Sequence, residues 1–264
     1  MLVREVVDYP LFDGESEERS VFIYLPVGYD EEENKDKRYP VLYMFDGHNV
    51  FRDEDASFGR SWRMENYLDL AGTQLIVVGV ESSRHPNNDR LCEYSPYTFD
   101  DEKFGYVEGH GTETMNWFVK CLKPMVDSNY RTIHNRRHTF IGGSSMGGLM
   151  SLFAITRYNR YFSRCLALSP SIWVNYKGMR EMVKKSRMNA ETLIYMEYGA
   201  DEMKNHYGMK EGYNMMVESM LRKKAIDLTA RIVPRGNHSE ASWERQLPIA
   251  IPALMYGLEE GFYN

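Results

Sequence analysis

Apolar residues along the chain follow two different periods, which predict strands and helices in alternation. Short runs of β-branched and aromatic residues bounded by turn residues are typical of strands, whereas recurrence every three or four positions is typical of helices. Eight predicted strands cover residues 2–7, 21–25, 41–45, 75–80, 139–141, 165–168, 193–198 and 228–233. Six predicted helices cover residues 62–70, 114–126, 148–158, 179–187, 213–224 and 241–258.

The order of these elements predicts an α/β fold. The first two strands alternate between polar and apolar positions and follow each other closely, as in an antiparallel hairpin. From residue 41 onward strands and helices alternate, which indicates parallel strands joined by crossover helices. We therefore expect one domain, residues 1–264, with a mostly parallel eight-stranded sheet, an antiparallel N-terminal hairpin and helices on both faces. Ligands bind such sheets at the carboxyl ends of the strands, where we look for chemistry.

Composition and charge narrow the class of partner. With 264 residues, 43% of them hydrophobic and 27% charged, the chain has enough apolar material for a large core. The net charge of -6, with scattered Lys and Arg, argues against nucleic acid or an anionic membrane as the main partner. The longest apolar run, 75–80, is far too short to span a membrane, and MLVREVVDYP is not a signal peptide. Cys92, Cys121 and Cys165 are too few and too far apart for a disulfide framework or a zinc ribbon, so we expect a cytoplasmic protein.

The segment GSSMG at 143–147 follows the fifth predicted strand and fits the pattern G-x-S-x-G, with Ser145 at its centre. A nucleophile on a sharp strand-to-helix turn has a strained backbone, and its neighbours must be small for strand and helix to approach closely. Gly143 and Gly147 meet that demand, and the helix behind Ser145 directs N–H groups at an oxyanion. The alternative is a glycine-rich turn with a solvent serine, but the strand before it and the helix after it favour a nucleophile.

A serine nucleophile needs a base, and the base follows it in α/β-hydrolases, which carry Ser, acid and His in that order. Only His206 and His238 come after Ser145. His238 lies in RGNHSEASW, directly after the last predicted strand and before the last helix, whereas His206 comes one loop too early. We therefore predict His238 as the general base.

The acid is expected after the strand that precedes the strand of the histidine. The segment GADE at 199–202 follows strand 193–198 and offers Asp201 and Glu202, whereas the loop after strand 165–168 contains no acid. Glu202 stands three residues beyond the glycine that ends the strand, the usual place of the acid, and is our choice. Asp201 stays open as an alternative, with capping of the following segment as its structural role.

The oxyanion of an acyl-transfer intermediate needs two N–H donors. The amide after the nucleophile belongs to Met146, and the loop after the third strand reads DGHN at 46–49. Gly47 lets the backbone turn so that the amide of His48 points inward. We predict the backbone N–H groups of Met146 and His48 as the oxyanion hole.

With these segments in place, the sequence resembles the esterase family of α/β-hydrolases that includes feruloyl and acetyl-xylan esterases, esterase D-type enzymes, mycolyltransferases and siderophore esterases. The matching segments span nearly the whole chain and are VLYMFDGHNVF, IGGSSMGG, SPSIW, YGADE and GNHSEASWERQLP. The resemblance implies Ser145 as nucleophile, His238 as base and an acid in YGADE, where Glu202 matches best. It also implies the His48 and Met146 amides as the oxyanion hole. It specifies the chemistry more closely than the substrate.

Two further residues are candidates for substrate binding. Arg90 lies in the segment 81–110, which is long and structureless by pattern, as functional loops often are. It either binds a substrate carboxylate or sugar, or pairs with Glu93 and holds the loop. Trp173 follows the sixth strand and forms either a hydrophobic wall over the site or plain core.

The sequence thus predicts a serine carboxylesterase that acts on a small-molecule ester through an acyl-enzyme. No metal or organic cofactor is implied, since His134 and His138 lack the glutamate of an HExxH site. Acetyl or feruloyl esters of carbohydrates are the first choice of substrate by family resemblance. A siderophore trilactone or another small ester is an alternative, and so is a non-catalytic hydrolase-fold binding protein.

Overall fold

Ten strands and ten α-helices, with four short 3₁₀ helices and one π-helical turn, make up the computed structural model over the residues that it describes, which are 1–12, 14–83, 89–205, 207–223 and 225–258. The strands are β1 (Leu2–Pro10), β2 (Ser16–Tyr24), β3 (Val41–Phe45), β4 (Ile76–Val80), β5 (Phe99–Asp101), β6 (Gly105–Val107), β7 (Thr139–Ser144), β8 (Arg164–Leu168), β9 (Thr192–Gly199) and β10 (Ile226–Val233). The helices are α1 (Met64–Ala71), α2 (Asp89–Glu93), α3 (Gly111–Trp117), α4 (Lys123–Asn129), α5 (Met146–Arg157), α6 (Tyr176–Lys185), α7 (Ala200–Asn205), α8 (Tyr207–Leu221), α9 (Glu240–Glu244) and α10 (Leu247–Met255).

Eight of the strands form one sheet in the order β1-β2-β4-β3-β7-β8-β9-β10. β2 is antiparallel to both β1 and β4, and the pairs from β4 through β10 are parallel. The predicted antiparallel hairpin and mostly parallel eight-stranded sheet are therefore confirmed. The carboxyl ends of β3, β7, β8, β9 and β10 meet at one edge, which brings together the loops that follow them.

Both faces of this sheet are covered by helices because its central strands are apolar on both sides. In β3, Tyr43 packs into a core cluster with residues of α5, α6 and α8, whereas Leu42 packs into a second cluster with residues of α1 and α10. Both side chains are buried. No helix in the described part of the chain is long and apolar enough to cross a membrane.

The segment 81–110 differs from the structureless loop that the pattern predicts. Its described part contains α2 and the two-stranded hairpin of β5 and β6, while residues 84–88 lie outside the described residues. The hairpin turns where Asp101 Oδ1 accepts hydrogen bonds from the N–H groups of Lys103 and Phe104. Strands of three residues are too short to give a readable alternation, so the pattern does not reveal them.

The end of the chain also differs from the pattern, which predicts one helix over 241–258. The structure has two helices there, α9 and α10, with Pro248 in the first turn of α10. Proline is favoured in a first helical turn and cannot continue a preceding helix, which accounts for the break.

Candidate active site

The turn between β7 and α5 holds Ser145 in a backbone conformation that non-glycine residues rarely adopt, with φ 56° and ψ −121°. A Cβ atom on Gly143 would lie 2.8 Å from the carbonyl carbon of Gly147, so strand and helix touch across the turn. The predicted need for small residues on both sides of Ser145 is confirmed. Ser145 is the N-cap of the 12-residue helix α5, whose first N–H groups have no acceptor within the helix.

The first turn of α7, directly after β9, and the loop after β10 bring Glu202 and His238 together. The Nδ1 atom of His238 lies 2.9 Å from Oε2 of Glu202, a hydrogen bond in which the imidazole N–H donates to the carboxylate. Oε1 of Glu202 also accepts a bond from the N–H of Gly199 at 3.1 Å, and the Glu202 side chain is only 2% exposed. These bonds fix the carboxylate, and they leave Nε2 of the imidazole as the nitrogen that accepts a proton.

Asp201, the other carboxylate in the first turn of α7, points elsewhere. Its side chain is 45% exposed and pairs with Lys204 at 2.7 Å on the surface of α7. The structure therefore brings Glu202, and not Asp201, to His238. His206, the other histidine that follows Ser145, lies outside the described residues.

Ser145, Glu202 and His238 line one cleft of about 990 Å³. In the described residues, the single side-chain hydrogen bond of Ser145 Oγ goes to Oγ of Ser171 at 3.4 Å. No side-chain hydrogen bond joins Ser145 to His238 in the described residues, and catalytic hydrogen bonds are often long or poorly aligned before substrate binds, so its absence does not count against the pair.

The loop after β8, residues 169–171, ties these parts to each other. The N–H of Ser171 donates to the carbonyl of Ser145 at 3.0 Å, and the N–H of Ser169 donates to the carbonyl of Glu197 at 2.7 Å. The hydroxyl of Ser169 accepts a bond from Nε1 of Trp243, whose ring packs edge-on against His238 with centroids 5.1 Å apart. One loop thus contacts the turn that carries Ser145, the strand that precedes Glu202, and Trp243, which packs against His238.

The two residues predicted for the oxyanion hole lie at adjacent turns. Met146 is the first residue of α5 and lines the cleft. His48 is buried in a single turn of 3₁₀ helix, Gly47–Asn49, directly after β3. A Cβ on Gly147 would lie 3.4 Å from Oδ2 of Asp46, so the turn after β3 packs against the first turn of α5.

Arg90 lies at the cleft, but its partner is not Glu93. Its Nε and Nη2 atoms donate to Oδ1 and Oδ2 of Asp46, both at 2.7 Å. Glu93 instead accepts two hydrogen bonds from Arg19 of β2, at 2.6 and 3.0 Å. The predicted Arg90–Glu93 pair is therefore wrong, because each of the two side chains pairs with a residue of another element, Asp46 after β3 and Arg19 of β2.

Trp173 lines the cleft as part of an aromatic wall. Its ring stacks on Phe104 with centroids 6.2 Å apart and planes at 19°, and it meets the edge of Phe99 at 5.8 Å. Both phenylalanines belong to the hairpin of β5 and β6 or to its turn. Of the two roles weighed for Trp173, the structure therefore favours the wall of the cleft over plain core.

Three residues at the site escape the sequence argument, namely Asp46, Ser171 and Trp243. Asp46 and Ser171 follow β3 and β8 at the carboxyl ends of these strands. That position is the sequence signal from which both residues could have been predicted. Trp243 stands five residues after His238, and its role depends on the path of the intervening turn.

Comparison with known proteins identifies the family. The sequence model of the Esterase family, described as Putative esterase, matches residues 16–254. The siderophore triacetylfusarinine C esterase of Aspergillus fumigatus is 24% identical over 230 residues, which cover 78% of this chain and 74% of that protein.

Two solved structures share the fold at 20% sequence identity. An IroE-like serine hydrolase from Shewanella oneidensis superimposes with a TM-score of 0.74 over 95% of this chain and 79% of that chain. A feruloyl esterase module from Clostridium thermocellum, complexed with sinapinate, superimposes with a TM-score of 0.69 over 100% of this chain and 91% of that chain. The protein thus has the α/β-hydrolase fold and belongs to the Esterase family.

Proposed function

We propose that the protein is a serine carboxylesterase that hydrolyses small esters through an acyl-enzyme. Ser145 Oγ attacks the ester carbonyl carbon while Nε2 of His238 takes the hydroxyl proton, and the carbonyl π electrons move to the oxygen. The N–H groups of Met146 and His48 stabilise that oxyanion. The tetrahedral intermediate collapses, the C–O bond to the alcohol breaks, and His238 returns the proton to the leaving alcohol.

Deacylation repeats these steps with water in place of the serine. His238 removes a proton from the water, and the hydroxyl adds to the acyl carbon to form a second tetrahedral intermediate. As this collapses, the Ser145 Oγ–carbon bond breaks to release the carboxylic acid, and His238 returns the proton to Ser145 Oγ. Throughout, the carboxylate of Glu202 orients the imidazole and stabilises its protonated form. The observation that carries the proposal is the Glu202–His238 hydrogen bond. Both residues line the same cleft as Ser145, which stands on a strained strand-to-helix turn.

The aromatic wall favours an ester with a planar acyl group. Trp173 and Phe104 present flat apolar surface, and offset stacking on such surface stabilises an aromatic ring by about 0.5–1.5 kcal/mol beyond its burial. An acetyl group has no ring that could stack on this wall. Of the two carbohydrate esters considered, we therefore favour a feruloyl over an acetyl ester, in line with the feruloyl esterase module that shares the fold.

A siderophore ester is the second candidate, supported by the relative from Aspergillus fumigatus.

A cytoplasmic location is part of the proposal, because none of Cys92, Cys121 and Cys165 forms a disulfide in the described residues.

The test is hydrolysis of a panel of esters by the wild type, Ser145→Ala and Ser144→Ala. The panel contains p-nitrophenyl acetate, a feruloylated oligosaccharide, an acetylated oligosaccharide and a siderophore trilactone. We expect Ser145→Ala to lose hydrolysis of every active ester, and Ser144→Ala, the neighbouring residue at the end of β7, to keep it. Activity that survives in folded Ser145→Ala would contradict the mechanism, and no activity in the wild type would favour a non-catalytic binding protein.

A further inference from the structure

We propose that Arg90 and Asp46 are positioning residues for the hydrolysis. Their ion pair holds the turn after β3, and with it the His48 amide, in place for the developing oxyanion. This inference rests on the proposed function, because it assigns the pair to the oxyanion hole of that reaction.

The geometry of the pair is bidentate and sheltered. Two parallel N–H···O bonds of 2.7 Å join the guanidinium of Arg90 to the carboxylate of Asp46. The Asp46 side chain is 7% exposed and that of Arg90 is 32% exposed. A planar guanidinium that bonds both oxygens of a carboxylate fixes its orientation as well as its place.

The backbone of Asp46 is held in a conformation that needs support. Its φ of 57° and ψ of 47° lie in the left-handed region, which costs free energy for a residue with a Cβ. The N–H of Asp46 donates to the hydroxyl of Tyr94 at 3.3 Å, and its carbonyl accepts from the N–H of Asn49 at 2.8 Å. With Arg90 on the carboxylate, the side chain and the backbone of Asp46 are both restrained where the chain turns toward His48.

The same carboxylate lies against the helix of the nucleophile. Oδ2 of Asp46 would be 3.4 Å from a Cβ on Gly147, the second residue of α5. On its other side the turn packs on β4, since a Cβ on Gly47 would lie 2.2 Å from the carbonyl carbon of Gly79. Asp46 therefore begins the turn that carries His48 while its carboxylate contacts the helix turn that carries Met146, and a change in its position changes the spacing of these two proposed donors.

Contacts made by its own helix also hold Arg90 in place, and these contacts involve no substrate. It shares the helix α2 with Glu93, whose side chain is fully buried and bonded twice to Arg19. The guanidinium of Arg19 lies 3.6 Å from the centroid of the Tyr9 ring. The contacts Arg19–Glu93 and Arg90–Asp46 thus connect β2, through α2, to the turn after β3.

This arrangement separates positioning from substrate binding. The charge of Arg90 is already balanced by Asp46, so the pair as a whole attracts an anionic substrate weakly. An oxyanion donor stabilises the transition state more than the ground state, and loss of one lowers kcat by about 10²–10³-fold. Misplacing one donor should therefore lower kcat and leave KM nearly unchanged.

The experiment compares Arg90→Gln, Asp46→Asn and Arg90→Lys with the wild type, using p-nitrophenyl acetate as a neutral substrate. A phenylboronic acid serves as the transition-state probe, because Ser145 Oγ adds to boron and leaves a boron-bound oxygen in the oxyanion position. Arg136→Gln is the matched control. Arg136 donates to Thr192 Oγ1 at 2.7 Å at the start of β9, at the ends of the strands opposite the candidate site.

We expect kcat to fall about tenfold or more in Arg90→Gln and Asp46→Asn, with KM changed less than threefold and the boronate inhibition constant raised in parallel with the loss in kcat. Arg90→Lys, which keeps the charge but not the bidentate bond, should be intermediate and should remain informative if the other variants do not fold. Arg136→Gln should lose stability to urea without losing kcat. A raised KM with unchanged kcat would overturn the proposal in favour of substrate binding by Arg90. Wild-type kcat and boronate affinity in folded Arg90→Gln would also overturn it, whereas hydrolysis by Ser145→Ala would refute the serine mechanism itself.

Discussion

Replacement of Glu202 by glutamine tests the role of the acid in the proposed mechanism. Glu202→Gln keeps the size of the side chain and its bond from the N–H of Gly199, but it removes the negative charge 2.9 Å from Nδ1 of His238. That charge matters most when His238 carries the proton of the nucleophile. We therefore expect the substitution to lower kcat far more than it changes KM.

The size of the effect follows from the geometry. Two unit charges about 4 Å apart attract each other by about 4 kcal/mol at an effective dielectric constant near 20. Solvent screens part of this, because the His238 side chain is 35% exposed while that of Glu202 is 2% exposed. A loss of about 3 kcal/mol of transition-state stabilisation corresponds to a roughly 100-fold drop in kcat.

The assay is steady-state hydrolysis of p-nitrophenyl acetate by Glu202→Gln and by Asp201→Asn as its matched control. Asp201 belongs to the same helix, α7, but lies on the surface with Lys204, so Asp201→Asn should change kcat less than twofold. Wild-type kcat in Glu202→Gln, or a large loss in Asp201→Asn, would refute the assignment of the acid.

Three further outcomes follow from contacts near the cleft. Gly143→Ala places a methyl group 2.8 Å from the backbone of Gly147. Such overpacking should lower the free energy of unfolding by about 1–3 kcal/mol in a urea titration, and unchanged stability would contradict the close approach. Burial raises the pKa of the Asp46 carboxyl, but the charge and hydrogen bonds of Arg90 outweigh it and hold that pKa below 3.8. The unfolded state then binds more protons below pH 4, so the stability that the wild type has over Asp46→Asn should shrink as pH falls through this range, and a constant difference would contradict the ion pair. Trp173→Ala should raise KM for a feruloyl ester more than for p-nitrophenyl acetate, and equal changes would exclude the aromatic wall as an acyl site.

Much of the fold is readable from the sequence because central parallel strands are buried on both faces. Their continuous β-branched and aromatic runs stand out from turns and amphipathic helices, and all eight predicted strands lie within or overlap strands of the observed sheet. The hairpin of β5 and β6 is not readable, since its strands of three residues are partly exposed and depend on packing against Trp173.

The candidate site, too, can be predicted only in part from the sequence. Ser145, Glu202 and His238 each stand in the segment that follows a strand, so the parallel sheet alone predicts that these segments meet, although it does not decide between Asp201 and Glu202. The partner of Arg90 does not follow from position, because Glu93 is three residues away while Asp46 is 44 residues away in the chain. Only the order of the strands and the path of α2 decide between these two carboxylates, and no local pattern encodes either.

The central claim is that Ser145 is the nucleophile, and covalent labelling tests it most directly. The wild type, Ser145→Ala and Ser144→Ala are treated with a fluorophosphonate probe, and the modified residue is located by mass spectrometry of proteolytic peptides. We predict one adduct on Ser145 in the wild type and in Ser144→Ala, none in Ser145→Ala, and loss of ester hydrolysis in proportion to labelling. An adduct on another residue, or ester hydrolysis that continues in fully labelled protein, would contradict the mechanism.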